Sequence, residues 1–295
     1  MIIIKFNDNI EHTYNNFEEI LKLDNYNDII YIDCNNNNLS NLSELPNSLT
    51  ELNCSHNNLS NLPELPNSLK ILYCQYNRLS SIPELPNSLT NLQYGYNNLS
   101  NLPQLPNSLT YLHCSYNNLS SLPQLPNSLT KLRCYGNNIS CLPELPNLLS
   151  GLYCCNNMLS SLPELPKSLT HLYCNNNNLS SLPELPNSLI HLWCHNNNLS
   201  YLPNLPNILR TIWCYNNNLC DLPKLPISLI YLYYYNNPIH THIKHYFSGN
   251  KNKYYEHQQN IQIIFANKIE NWYLDCKYNP KYLYCRKRLM KEYEE

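Results

Sequence analysis

Cysteine is the residue type whose number and spacing in this chain could do chemistry. Nine of the 14 cysteines recur at intervals of 20 or 40 residues: Cys34, Cys54, Cys74, Cys114, Cys134, Cys154, Cys174, Cys194 and Cys214. Thiols in such a column could form disulfides or bind metal, but each has two equivalent neighbours with parallel Cβ vectors, which suits neither a disulfide nor tetrahedral zinc. We therefore interpret them as small apolar core residues that an intracellular compartment keeps reduced.

Three further cysteines, Cys141, Cys155 and Cys220, lie outside this register. Cys155 is predicted to be exposed at the edge of the outward face of a sheet. A catalytic thiol needs a histidine or a cation beside it to lower its pKa, and the sequence does not identify such a neighbour for Cys155. We predict that the chain is not an enzyme and uses no cofactor.

Two groups of histidines have a spacing that could serve a metal. His171, His191 and His195 form one group, and His240, His242 and His245 form the other. Surface imidazoles of this kind are usually solvated, and the second group has no fourth ligand. We predict that neither group is a metal site.

Aromatic side chains point to binding. One position of the 20-residue pattern carries five successive rings, Tyr153, Tyr173, Trp193, Trp213 and Tyr233, and the residues His171, His191, His195, Tyr215, Tyr231 and Tyr235 are expected beside them. Large exposed aromatic patches are uncommon unless something covers them, and Trp and Tyr dominate binding hot spots.

We therefore predict a partner-binding surface made by Tyr153, Tyr173, His191, Trp193, His195, Trp213 and Tyr233. The expected partner is a protein, and no small-molecule substrate is expected. In the alternative interpretation the stacked rings only stabilise the sheet through cross-strand contacts, or the C-terminal segment covers them.

A repeat positions all of these residues. From about Ile29 to Asn237 the chain has a period of 20 residues without insertion or deletion, and the spacing LxxLxCxxNxLxxLPxLP is a leucine-rich repeat signature. In a strand containing Leu52, Asn53 and Cys54, the outer two side chains point inwards and Asn53 points outwards. The predicted fold is a leucine-rich repeat solenoid of about eleven coils, with a parallel β-sheet on its concave face.

Two other columns complete the predicted coil. The asparagine at Asn57 and its equivalents is expected to bond the backbone of neighbouring coils, because its amide both donates and accepts. Two prolines in most coils, such as Pro63 and Pro66, cannot lie inside a helix. The convex side is therefore predicted to be extended and Pro-rich.

The ends of the repeat predict three parts of the chain. Residues 1–28 are an N-terminal cap with a strand in the segment Ile2 to Phe6 and a short helix between Phe17 and Leu23. Residues 29–238 are the solenoid, and residues 239–295 are a helical C-terminal cap with helices near 262–277 and 282–294.

Charge and hydropathy exclude other classes of partner. The formal net charge is −2, from 19 basic and 21 acidic residues, so neither nucleic acid nor an anionic membrane is an expected partner. The apolar run from Ile2 to Ile4 is too short for a signal peptide, and no segment approaches the roughly 18 apolar residues of a spanning helix. We expect an intracellular, cytoplasmic protein.

The string ELPNSLTELNCSHNNLSNLPELP resembles the short repeats of bacterial type III-secreted effectors of the IpaH and YopM kind. It is still more similar to the Asn-rich repeat proteins of mimivirus-type giant viruses, whose tail the segment IFANKIENWYLDCKYNPKYLYCRKRLMKEYEE also resembles. This resemblance implies a host-interaction protein in the host cytoplasm. The ubiquitin-ligase domain of the IpaH effectors is not expected, because the 57 residues after Pro238 are too few for it.

Two other functions remain open at this point. The chain could be an adaptor that delivers targets to a ubiquitin ligase through residues 239–295, or a structural component of a virion. No feature of the sequence separates the virion component from the binding scaffold.

Overall fold

The computed structural model of the protein describes residues 1–239, whose backbone forms a 13-stranded sheet. Eleven of the strands are parallel, have three residues each and begin every 20 residues. They are β3 (Tyr31–Asp33), β4 (Glu51–Asn53), β5 (Ile71–Tyr73), β6 (Asn91–Gln93), β7 (Tyr111–His113), β8 (Lys131–Arg133), β9 (Gly151–Tyr153), β10 (His171–Tyr173), β11 (His191–Trp193), β12 (Thr211–Trp213) and β13 (Tyr231–Tyr233). The predicted solenoid with a continuous parallel sheet is confirmed.

Side chains alternate across each strand as the repeat predicts. In β4, Leu52 is fully buried, whereas Glu51 and Asn53 are half-buried on the other face of the sheet. Cys54, directly after the strand, is also fully buried. Leucines and thiols therefore line the interior, and the opposite face of the sheet, which we call the concave face, displays the first and third residues of every strand.

One asparagine per coil joins that coil to the one before it. Asn137 Oδ1 accepts a hydrogen bond of 3.0 Å from the backbone N–H of Leu119, and its Nδ2 donates to the backbone oxygens of Cys114 and Cys134, each at 3.1 Å. The same bonds recur from the coil of Asn57 to that of Asn237. The predicted role of the asparagine column is confirmed, and it satisfies backbone groups that no strand pairing reaches.

A second set of bonds between coils precedes each strand. Ser128 Oγ donates to the backbone oxygen of Leu109 at 2.7 Å, and Thr130 Oγ1 donates to that of Thr110 at 2.9 Å. Most coils have a serine or threonine at one or both of these positions. Together with the asparagines, these hydroxyls fix the register of most coils on both sides of the strand.

The chain between successive strands is extended. From β3 to β13 the connecting segments contain turns and bends but no helix. Pro63 and Pro66 border Leu65, which packs with the nearly buried Leu62 against the core. The predicted Pro-rich, non-helical side of the coil is confirmed, and it makes each coil narrow.

The N-terminal residues cover the first coil. Strand β1 (Ile2–Lys5) pairs antiparallel with β3, and β2 (Glu11–Tyr14) pairs antiparallel with β1. Helix α1 (Phe17–Ile20), capped by Asn16, and a 3₁₀ turn (Tyr26–Asp28) follow. Ile2, Ile4 and Ile20 are fully buried, so these elements close one end of the core.

Strand β1 and helix α1 lie in the segments for which the sequence predicts a strand and a short helix. Strand β2 was not predicted, because its residues are mostly polar and half of them are exposed. The predicted helical C-terminal cap and the histidines His240, His242 and His245 lie outside the described residues. Among residues 1–239, no helix combines the length and the hydropathy that a membrane crossing requires.

Candidate partner-binding surface

The parallel register places equivalent residues of successive coils above one another on the concave face. Tyr173 pairs with Trp193, Trp193 with Trp213, and Trp213 with Tyr233. Neighbouring strands are about 4.8 Å apart, which is close to the distance at which aromatic rings stack. A repeat with one aromatic residue per strand therefore builds a column of rings.

We call this column the aromatic ladder; it comprises Tyr153, Tyr173, Trp193, Trp213 and Tyr233. Its three central rings are nearly parallel, with centroids 4.0 Å apart for Tyr173 and Trp193 and 4.1 Å apart for Trp193 and Trp213. Tyr153 and Tyr233 meet the two ends edge-on, at 84° and 83°. The inner rings are half-buried, and Tyr233 is 44% exposed. The ladder thus presents ring edges, and the faces of its inner rings are covered.

A second column lies beside the ladder, two residues further along each coil. His195 stacks on Tyr215 with centroids 4.3 Å apart, and Tyr215 stacks on Tyr235 at 4.5 Å. On the other side, His171 and His191 are 4.9 Å apart. The structure therefore brings the predicted site residues together on one face.

His195 differs from the prediction of an exposed imidazole. Its side chain is 6% exposed, because the rings of Tyr215 and Trp213 lie against it. Burial lowers the pKa of His195 from its ordinary value of 6.5 to about 4, so the ring is neutral at physiological pH. His195 supports the rings around it but offers almost no surface to a partner.

Several polar atoms of this surface have no hydrogen-bond partner among the described residues. They include Nε1 of Trp193 and of Trp213, Oδ1 of Asn175 and Nδ1 of His195, all of them buried. A buried polar atom left without a partner costs about 1 to 3 kcal/mol. Hydrogen bonding among the described residues therefore does not explain the positions of these rings.

His171, His191 and His195 do not converge on one point in the structure. Within residues 1–239, no group of three histidine, cysteine, aspartate or glutamate side chains converges to hold a metal ion. Burial lowers the pKa of both His171 and His191, and the positive charges of Lys131 and Arg210 add to this effect. Both imidazoles are therefore expected to be neutral at physiological pH.

A cationic centre adjoins the N-terminal end of the ladder. The guanidinium carbon of Arg133 lies 5.2 Å from the ring centroid of Tyr153 and 5.9 Å from that of Tyr111. Nζ of Lys131 lies 6.0 Å from the ring centroid of Tyr111. At the next strand Gly151 has no side chain, and a Cβ there would lie 3.0 Å from the ring of Tyr153. The absence of a side chain at Gly151 therefore leaves space for the ring of Tyr153 to lie beside Arg133.

Sequence reasoning missed a further column at the edge of the sheet. The rings of His56, Tyr76, Tyr96 and Tyr116 stack with centroids 4.2 to 4.3 Å apart. Their backbone φ values of 52° to 57° are left-handed, a conformation that costs a residue other than glycine about 1–2 kcal/mol. The period of 20 contains the signal, since four aromatic residues in a row occupy one position of the repeat. We call this column the edge stack.

The edge stack ends at Gly136. A Cβ at Gly136, where φ is +67°, would lie 2.7 Å from Cδ1 of Tyr116. Beyond it the same position carries asparagines, and their side chains bond one another: Asn176 Nδ2 donates to Asn156 Oδ1 at 2.7 Å. Columns of stacked rings therefore lie at the edge in the N-terminal half and on the concave face in the C-terminal half. Tyr135 lies where the two regions meet, 5.3 Å from the ring of Tyr116.

The nine in-register cysteines and Cys155 lack the low pKa that a reactive thiol requires. The nine in-register thiols are buried, and burial raises their pKa values; for Cys114 the value is about 12. Cys155 is half-buried, whereas the sequence predicted it to be exposed, and burial raises its pKa to about 11. A thiol with that pKa is protonated at neutral pH and is a poor nucleophile.

No protein-family model matches the chain, and no curated protein matches it. Among solved structures, YopM from Yersinia enterocolitica is 41% identical and has a TM-score of 0.67; the alignment covers 68% of this chain and 45% of that one. The chain thus spans less than half the length of that YopM.

Two further structures resemble the solenoid. The functional domain of InlJ from Listeria monocytogenes, which includes a cysteine ladder, is 24% identical with a TM-score of 0.53, over 70% of this chain and 54% of that one. At this identity the likeness concerns the fold alone. The PEPR1 chain in its complex with AtPEP1 is 25% identical with a TM-score of 0.51, over 65% of this chain and 32% of that one.

Proposed function

Because the chain is a leucine-rich repeat protein whose 20-residue repeats resemble those of YopM-type effectors, we propose that it is a non-enzymatic scaffold that binds a partner protein. The binding surface is the aromatic ladder with the rings beside it. The proposed partner is a host protein, and the proposed location is the host cytoplasm.

The aromatic ladder is the observation that carries this proposal. Five rings lie in register on one face of a rigid sheet, and at its C-terminal end Tyr231, Tyr233 and Tyr235 are 56%, 44% and 43% exposed. Aromatic side chains held by their neighbours lose little conformational entropy when a partner covers them. A rigid aromatic face is therefore well suited to binding.

The non-enzymatic part of the proposal is supported by the protonation of the groups near the ladder. The Cys155 thiol has a pKa of about 11, and burial lowers the pKa of both His113 and His195 to about 4. General bases work best with pKa values near the operating pH. These groups are far from that range.

A substitution pair tests the proposed surface. We expect Trp193→Ala with Trp213→Ala to weaken capture of the partner about tenfold or more, because the two central rings of the ladder are lost. Tyr201→Ala is the matched control, since Tyr201 is 55% exposed on the Pro-rich side of its coil. The measurement is quantitative affinity capture from host-cell lysate, with circular dichroism to show that the variants fold.

If the tryptophan variant is folded and captures the same partners as the parent chain, the proposal is wrong. The adaptor and virion alternatives depend on residues 239–295 or on an assembled particle. No observation on residues 1–239 favours either of them.

A further inference from the structure

Charge is distributed unevenly between the two sides of the solenoid. From β5 to β13, the first and third strand residues and the residue two places beyond carry no aspartate or glutamate. Exposed glutamates lie instead on the Pro-rich side: Glu64, Glu84, Glu144, Glu164 and Glu184. The only cations at the same concave positions are Lys131 and Arg133, so this part of the concave face is locally positive although the chain as a whole is slightly negative.

The two cations have no carboxylate partner among the described residues. The ion pair found in residues 1–239 joins Lys5 and Glu11, far from this region. Arg133 lies between the rings of Tyr111 and Tyr153, and its Nε is buried without a hydrogen-bond partner. Its guanidinium group is thus held in place by aromatic contacts, and no carboxylate of residues 1–239 forms an ion pair with it.

The nearby imidazoles of His113, His171 and His191 also lack acidic neighbours that act on their pKa values. The charged groups that act on them are all basic: Arg133 on His113, Lys131 on His171, and Arg210 on His191. A negative charge brought to this face would therefore be attracted by Lys131 and Arg133 and repelled by none of these groups.

From these observations we propose that the concave face binds an acidic, extended segment of the partner protein, with carboxylates paired to Lys131 and Arg133. This inference rests on the proposed function and specifies the chemistry of its partner. The distance from β8 to β13 is about 24 Å, the length of about seven extended residues. Carboxylates at one end of such a segment reach the cations while its other side chains contact the ladder.

The charge pattern favours an acidic peptide over nucleic acid. A long polyanion would also approach the glutamates of the Pro-rich side, and the net charge of −2 gives it no overall attraction. A short acidic segment confined to the concave face avoids those glutamates. Two cations within one strand also match one or two carboxylates better than a continuous phosphate backbone.

Peptide selection on the full chain tests this inference. We expect a random peptide-display library to yield sequences rich in aspartate and glutamate. Lys131→Gln with Arg133→Gln should abolish this enrichment and weaken a resynthesised peptide about tenfold or more, as loss of charged hydrogen bonds implies. The matched control is Lys167→Gln with Lys224→Gln, which removes the same charge from exposed positions on the Pro-rich side and should change neither result.

A charge-reversal variant guards against trivial loss of folding. Lys131→Glu with Arg133→Glu should select peptides rich in lysine and arginine, which an unfolded protein would not do. The inference is overturned if the parent chain selects neutral or basic peptides, or if the glutamine variant selects acidic peptides as well as the parent does. It is also overturned if a single-stranded oligonucleotide binds more tightly than the best acidic peptide.

The two proposals can fail separately. Selection of neutral peptides that Trp193→Ala with Trp213→Ala no longer binds would refute the acidic partner and leave the scaffold function intact. Unchanged capture of host proteins by the folded tryptophan variant would refute the proposed binding surface itself.

Discussion

His113 and His195 show how a single residue's surroundings set its chemistry. Burial lowers the pKa of each imidazole from 6.5 to about 4, and for His113 the charge of Arg133 adds to this effect. Above about pH 6.5 both rings are neutral in the folded and the unfolded chain. Between about pH 6.5 and pH 4 the unfolded chain binds protons that the folded chain does not. The free energy of unfolding therefore decreases as the pH is lowered through this window.

We therefore expect His113→Asn with His195→Asn to reduce the loss of stability between about pH 7 and pH 5. The free energy of unfolding from urea titrations at the two pH values measures the effect. His56→Asn is the control, because His56 is exposed and its left-handed backbone accommodates asparagine. An unaltered pH dependence in the double variant would show that these two imidazoles are not buried in neutral form.

The burial of His195 illustrates what could not be predicted at the residue scale. The sequence places it correctly on the concave side of its coil. Its exposure, however, depends on the ring orientations of Trp213 and Tyr215 in the following coil, and a repeat pattern contains no information on those orientations.

The coil is the element of this fold, and its connection to the next coil depends on one amide. We expect Asn137→Ala to lower the free energy of unfolding by about 1 to 3 kcal/mol, because Leu119 N–H and the oxygens of Cys114 and Cys134 lose their buried partner. Asn138→Ala is the matched control: Asn138 is adjacent and exposed, so its loss should change stability by less than about 0.5 kcal/mol. Urea unfolding of both variants distinguishes them, and equal destabilisation would contradict the role given to the column.

Most of the coil could be predicted because its period reports directly on geometry. The inward leucines and thiols, the asparagine column and the extended Pro-rich side all follow from which residues recur. The edge stack was missed for a physical reason. Its position has a positive φ that favours asparagine or glycine, so Tyr76, Tyr96 and Tyr116 there are exceptions to local preference. Stacking between coils offsets that preference, and it becomes evident only once the coils are assembled.

At the scale of the whole molecule, stability should increase with the number of coils in register. We expect a copy of residues 118–137 inserted after Asn137 to preserve the fold without lowering the melting temperature. The same copy without Leu132 would turn Arg133 towards the core, because a shift of one residue exchanges the two faces of a strand. Thermal unfolding followed by circular dichroism compares the two insertions, and similar melting temperatures would refute the register argument.

The ends of the molecule mark the limit of the sequence prediction. Apolar residues such as Ile2 and Phe17 signalled the first strand and the helix that cover the N-terminal end. The polar strand β2 gave no such signal, because it pairs through its backbone and half of its side chains remain in solvent. The charge difference between the concave face and the Pro-rich side could be recognised only in the structure, because it depends on which side of the coil each position of the repeat faces.

The direction of the asparagine bonds has a consequence for how the protein is made. Each asparagine reaches back to the preceding coil, so a coil's leucine N–H and cysteine oxygen obtain their partner only when the next coil is in place. The nascent chain leaves the ribosome from its N-terminus. Each newly emerged coil can bond the backbone of the preceding coil, while its own leucine N–H and cysteine oxygen still lack their asparagine partner. During synthesis the backbone hydrogen bonds of a coil can therefore be completed only after the following coil has emerged.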